Sequence, residues 1–374
     1  MKVQEPHRSR MARSFGSTPG CAVLGILFSV LAGCAGSVDG REPDGAVVRP
    51  RDAAVADDGR VADDGGPGDG GVELTKDAAV PDIPVVFSAA GDHGWNEAAE
   101  KSLDLIVARK AEFHLALGDA SYGLPGEETQ WCSWVKSFVG DKFPFQLIAG
   151  NHEEDNGPNG HISKFVGDLP DRMNSVGIYG AQYYFDVRDT LRVIMIAADL
   201  DVDGVKYDYE KGTSFYGWLE TVIDDARAKG VRWVVVGMHK NCITAGEKSC
   251  EIGPDLMDML IEKRVDIVFQ GHEHLYERSK QVSCAKVGEY LPGCVVDDGS
   301  DGTYTQGKGT VFVVSGSFGK LRDLNLSDPE YPYFAESDDT SNGVAFVEVN
   351  RKRLRLDFAP SKGAYTDAFE ILAE

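Results

Sequence analysis

Five short apolar runs in this chain each close on a glycine with Asp, Asn or His one or two residues later, and this repeated ending restricts the fold more than any other feature. The endings are Gly91-Asp92-His93, Gly118-Asp119, Gly150-Asn151-His152, Gly237-Met238-His239 and Gly271-His272-Glu273-His274. The runs before them, PVVFSAA, FHLAL, FQLIA, RWVVVGM and VDIVFQ, are rich in β-branched and large apolar residues and too short for helices. Longer segments of helical period separate them, near Asn96 to Lys110, Glu127 to Phe138, Phe215 to Lys229 and Asp255 to Lys263, with one more apolar run, LRVIMIA, before the third. Such alternation predicts parallel strands covered by helices. After Gly309 the order changes to TVFVVSG, GVAFVEV and RLRLDFA with little helix between, which predicts a second sheet packed on the first. The expected class is α/β, a two-sheet sandwich flanked by helices. No internal repeat of fixed period is present.

Open α/β sheets place their sites beyond the carboxyl ends of the strands, so the five endings can converge on one patch. A glycine just before the polar residue lets the backbone turn sharply and approach a ligand closely. Asp, Asn and His without cysteine suit divalent or trivalent first-row metals and argue against a thiolate zinc or iron–sulfur site. They also exceed the needs of one ion. Two ions roughly 4 Å apart require a bridging anion, a role that Asp119 can fill. The chemistry expected of such a pair is in-line attack of hydroxide on phosphorus.

The order GD, GDxxY, GNHE, a lone His after a strand, and GHxH resembles the calcineurin-like metallophosphoesterases, and most closely their purple acid phosphatase branch. The resemblance spans about Val85 to Arg278 and rests above all on Gly118-Asp119-Ala120-Ser121-Tyr122 and on Gly271-His272-Glu273-His274-Leu275-Tyr276-Glu277-Arg278. It implies αββα layers. It also implies that Asp92, Tyr122 and His274 hold Fe(III), that Asp119 bridges, and that Asn151, His239 and His272 hold a divalent partner such as Zn, Fe or Mn. Most other branches place a His two positions after the first Asp; here that position is Gly94, and His93, one residue early, is left out of the ligand set. A phenolate at Tyr122 is a hard anionic ligand that favours a trivalent ion. Such an ion acidifies water strongly enough to supply hydroxide at acidic pH.

His152, beside Asn151, is the expected contact to phosphate and proton donor to the leaving group. Glu153 reads as supporting structure, and His114 and His161 have no motif context. Purple phosphatases carry a further substrate histidine several residues after the lone metal His, but Lys240 to Gly253 contains none. Lys240 or Lys248 is then a candidate for the missing positive charge. Cys242 with Cys250, and Cys284 with Cys294, are spaced to close small rings, leaving Cys132 single; the alternative is that all five are reduced. The resemblance implies hydrolysis of a small phosphate ester, most simply a monoester. A phosphodiesterase using the same metals, and a surface lipoprotein that keeps the fold without catalysis, are the rival readings.

The two ends of the chain read differently. Residues 1–34 carry Lys2, Arg8, Arg10 and Arg13 ahead of the apolar run AVLGILFSVLAG, which is shorter than the roughly 20 residues of a membrane span. Leu31-Ala32-Gly33-Cys34 resembles the bacterial lipobox, so the expectation is export to a bacterial cell envelope with membrane attachment through acylated Cys34. Residues 35–80, rich in Asp and Gly and almost devoid of large apolar side chains, read as a disordered tether. Residues 81–374 form the expected metallophosphoesterase domain. The formal net charge of −22 repels nucleic-acid backbones, so no nucleic-acid scaffold role is expected.

Overall fold

The computed structural model describes residues 82–374; the segments read above as a signal with Cys34 and as a tether lie outside the described residues. Two large mixed sheets carry the fold. The first runs, in spatial order, Thr303–Thr305, Asp367–Leu372, Arg353–Lys362, Asn342–Val349, Val85–Ala90, Phe113–Ala116 and Phe145–Leu147. The second runs Phe334–Asp338, Tyr276–Ser279, Val311–Ser315, Ile267–Gln270, Trp233–Met238, Leu191–Ile196, Gln182–Val187 and Val176–Ile178. Their inner faces form one apolar core, where Phe87 meets Phe269 edge-on at 6.4 Å and Phe113 meets Phe185 at 5.5 Å.

The alternation of strand and helix holds, and the two-sheet sandwich with it. The division of strands between the sheets differs from the sequence expectation. The late strands do not form a sheet of their own. Val311–Ser315 joins the second sheet parallel to Ile267–Gln270, while Asn342–Val349 pairs antiparallel with Val85–Ala90 in the first. Three of the five strand endings therefore belong to one sheet and two to the other. Strand pairing across two hundred residues leaves no trace in local periodicity.

Helices cover both outer faces. Glu97–Ala108 is capped by Asn96, whose side chain accepts from Ala99 N at 3.0 Å, and it buries Ala99, Leu103 and Ile106 on one stripe. Ser214–Ala228 is capped by Thr213 and buries Leu219, Val222, Ile223 and Ala226. Arg192 fixes it to the second sheet. Its buried guanidinium donates to both Asp186 oxygens at 2.6 and 2.7 Å and to Asp225 Oδ2 at 2.7 Å, and removing either acid would strand a charge inside. Cys242–Cys250 and Cys284–Cys294 are disulfide-bonded, and Cys132 is buried and unpaired.

Candidate metal centre

The carboxyl ends of Val85–Ala90, Phe113–Ala116 and Phe145–Leu147 meet those of Trp233–Met238 and Ile267–Gln270 at one rim. Hydrogen bonds stitch the two sheets together there. His272 N donates to Asp92 Oδ2 at 2.8 Å, and His239 Nδ1 lies 2.8 Å from Leu117 O. The bond to Leu117 places the proton on Nδ1 and turns Nε2 toward the rim.

Seven side chains named from the sequence converge there in two groups. In the first, the Tyr122 hydroxyl lies 2.8 Å from Asp92 Oδ1, 2.9 Å from Asp119 Oδ2 and 3.1 Å from His274 Nε2, which is itself 3.3 Å from Asp92 Oδ1. In the second, His239 Nε2 lies 3.2 Å from Asp119 Oδ1, 3.0 Å from Asn151 Oδ1 and 3.1 Å from His272 Nδ1. The two oxygens of Asp119 face different groups.

These spacings test whether ions fit. Ligand atoms at about 2.1 Å from a metal and at right angles stand about 3.0 Å apart, which is the spacing found within each group. The electrostatics agree. Burial, and then the charges of Asp92 and Asp119, push the Tyr122 phenol far above its ordinary value. Burial works against a proton on His239, yet Asp119 and Asp92 raise it to about 9. Carboxylates crowded this closely without solvent call for positive charge among them. Both groups fit a cation, and the pair fits two cations sharing Asp119.

The local backbone is built for this crowding. A Cβ on Gly150 would collide with the Asp119 carboxylate, and Gly118, at φ +83°, passes so close that a Cβ would meet the His239 ring. Asp92, Asp119, Tyr122 and His272 all sit at positive φ, between 51° and 69°. This conformation is unfavourable for residues with a Cβ, and its concentration in four site residues marks strain held by the surrounding structure.

His152 lies beside the first group, its Nε2 3.5 Å from Asp119 Oδ2 and its ring 4.4 Å from that of Tyr122. Asn159 accepts from His152 Nδ1 and donates to Gly123 O, so it sets the ring's orientation. Glu153 is buried and accepts from Ala120 N at 2.7 Å and Gly150 N at 3.3 Å, tying two of the endings together as supporting structure. His93 is not in either group; its Nε2 meets His114 Nε2 at 3.1 Å among aromatic rings. His161 pairs with Asp155 at 2.9 Å, away from both groups.

Of the two lysine candidates, one is corrected. Lys240 Nζ is engaged by Asp199 Oδ2 at 2.9 Å and Glu251 Oε2 at 3.2 Å, so its charge is already neutralised. Lys248 makes no ion pair among the described residues and its charge bears on His272, so it stands as a candidate; its backbone N donates to Glu273. A further cation, Lys320, stands with Nζ 4.2 Å from the Tyr122 ring centroid. Lys320 follows Gly319 in a loop with no periodicity, and Asn159 is similarly placed, so neither carried a sequence signal.

Residues 87–276, half of the chain, match the calcineurin-like phosphoesterase family. The chain belongs to that family. Among curated relatives of this calcineurin-like phosphoesterase is purple acid phosphatase 21 of Arabidopsis thaliana, 28% identical over 54% of this chain and 46% of the relative. A purple acid phosphatase of Glycine max is 25% identical over 73% of this chain and 59% of its own, and the Arabidopsis protein named Fe(3+)-Zn(2+) purple acid phosphatase 12 is 26% identical over 73% and 58%. The chain thus spans about half the length of the curated relatives it matches. In fold, this calcineurin-like phosphoesterase resembles the purple acid phosphatase PPD1 of yellow lupin seeds, with a TM-score of 0.58 at 16% identity, covering 78% of this chain and 54% of that one.

Proposed function

We propose that this protein is an acid phosphatase that hydrolyses small phosphate monoesters at a pair of ions. Asp92, Tyr122 and His274 would hold Fe(III), Asn151, His239 and His272 a divalent ion, Zn, Fe or Mn, and Asp119 would serve both. The observation that carries this reading is the division of Asp119's two oxygens between two donor groups, one of which contains the Tyr122 hydroxyl. Burial and the neighbouring carboxylates hold the phenol protonated unless a cation sits beside it, and a hard phenolate oxygen favours a trivalent ion there. The name of the Fe(3+)-Zn(2+) relative supports a trivalent–divalent pair.

Bound there, the two ions would draw phosphoryl oxygens and acidify water for attack on phosphorus. The chain's own groups do the rest. His152, its Nδ1–H donating to Asn159, holds Nε2 toward the centre and, when protonated, passes that proton to the departing alcohol. Lys320 adds positive charge on the Tyr122 side.

The test is the colour and the substrate together. Iron-supplied protein is expected to show a visible tyrosinate-to-iron charge-transfer band and to cleave monoesters faster than diesters at acidic pH. Tyr122→Phe should remove the band and weaken iron retention while leaving the divalent site in place. Faster diester cleavage would move the assignment to a phosphodiesterase, and a colourless, fully active protein with two divalent ions would remove the tyrosinate.

For the segment before the domain, we propose lipid anchoring in a bacterial cell envelope through Cys34, with residues 35–80 as a tether, on the sequence pattern alone. Wild type should then partition into the detergent phase and Cys34→Ser into the aqueous phase or remain unprocessed, with equal specific activity. Aqueous partitioning of wild type would refute the anchor.

A further inference from the structure

The segment from Lys240 to Glu251 follows one ligand, His239, and reaches a second, His272. Its base is closed twice, by the Cys242–Cys250 disulfide and by Glu251 N donating to Asn241 O at 3.3 Å. The closed loop delivers the Glu251 carboxylate to the side of His272 that faces away from the other ligands. Glu251 Oε1 lies 2.9 Å from His272 Nε2, while His272 Nδ1 points to His239 Nε2 at 3.1 Å. The second oxygen, Oε2, meets Lys240 Nζ at 3.2 Å, and Lys240 is held in turn by Asp199 O and Oδ2, both at 2.9 Å. Lys240, only 8% exposed, therefore has a use in the site other than binding substrate.

A carboxylate on one ring nitrogen of a histidine keeps the proton there, leaves the other nitrogen's lone pair free, and fixes the plane of the ring. Only Nδ1 of His272 faces the second donor group. We propose that Glu251 is a positioning residue for the divalent ion, setting the tautomer and orientation of His272, and that the disulfide-closed loop, with Lys240 and Asp199, holds Glu251 in place. Both histidines of the divalent site are then tied to one loop, His239 at its start and His272 through its end. Among the described residues His274 meets its partners only through Nε2, with no carboxylate on its other ring nitrogen, so the effect belongs to one ion of the two.

This inference rests on the two-ion reading, and the experiment separates the two. Full-length, iron-loaded protein is titrated with zinc against a chromophoric chelator, with iron content and the visible band followed in the same samples. Glu251→Ala is expected to weaken zinc about 10- to 100-fold. Glu251→Gln, whose amide oxygen still accepts from Nε2–H, should lose less. The Cys242→Ser/Cys250→Ser double variant should fall in the same direction, with iron and the band unchanged in all three. Zinc affinity equal to wild type in Glu251→Ala would overturn the proposal, as would parallel loss of iron and zinc, which would mark a general structural role. Wild type that takes up no zinc or other divalent ion beside its iron would refute the two-ion reading itself, and this inference with it.

Discussion

Asp119→Ala is expected to bring hydrolysis to background and to release at least one ion per chain. The reason is electrostatic. Two cations about 4 Å apart repel by about 4 kcal/mol per pair of unit charges at an effective dielectric of 20, and a trivalent–divalent pair by roughly six times that. The shared carboxylate is the anion placed to offset this repulsion, with Oδ2 on the Tyr122 side and Oδ1 on the His239 side. Hydrogen bonds of about 1 kcal/mol cannot replace it. The loss should therefore exceed the about 10- to 100-fold typical of residues that only orient a ligand. Metal analysis alongside ester hydrolysis checks this; a variant that keeps both ions and most of its activity would exclude Asp119 from the bridge.

His152→Ala is expected to lower kcat about 10²- to 10⁴-fold while both ions stay bound, because the histidine acts on the leaving group and not on the metals. The geometry makes this separable from Asp119. His152 Nε2 stands 3.5 Å from the Asp119 carboxylate, at the edge of the first donor group, and its side chain is about a quarter exposed, open to a substrate. Loss should be greatest for esters of poor leaving groups and smallest for activated aryl esters, whose phenolate leaves without a proton. If His152 served only as scaffolding, the variant would lose metal or stability and show no such dependence on the leaving group.

The proposed ligands other than Tyr122 could be named because each stands just past an apolar run that ends in glycine, and the crowding at Gly150 and Gly118 explains why glycine is needed there. Tyr122 was readable only through the resemblance: its hydroxyl enters the site from a loop, and a left-handed φ of 52° at a tyrosine has no marker in the sequence. The hairpin from Gln182–Val187 to Leu191–Ile196 was half seen, since its turn passes through Arg188 at φ 57° with none of the Gly or Asn that usually signals one. Lys240 illustrates the opposite failure. A lysine next to a metal ligand reads naturally as a substrate contact, but Asp199 and Glu251, distant in sequence by 41 and 11 residues, had already claimed it. Contacts of this kind are set by tertiary packing between loops, where neither period nor composition carries information.

The central claim is that two different ions share Asp119 in one buried centre. The most direct measurement is the metal content of purified, iron-supplied protein, taken with ester hydrolysis before and after chelation and on adding metal back. Two ions per chain are expected, one iron and one divalent, with activity lost when the divalent ion is removed and restored when it returns. Full hydrolysis by protein carrying one ion or none would contradict the claim.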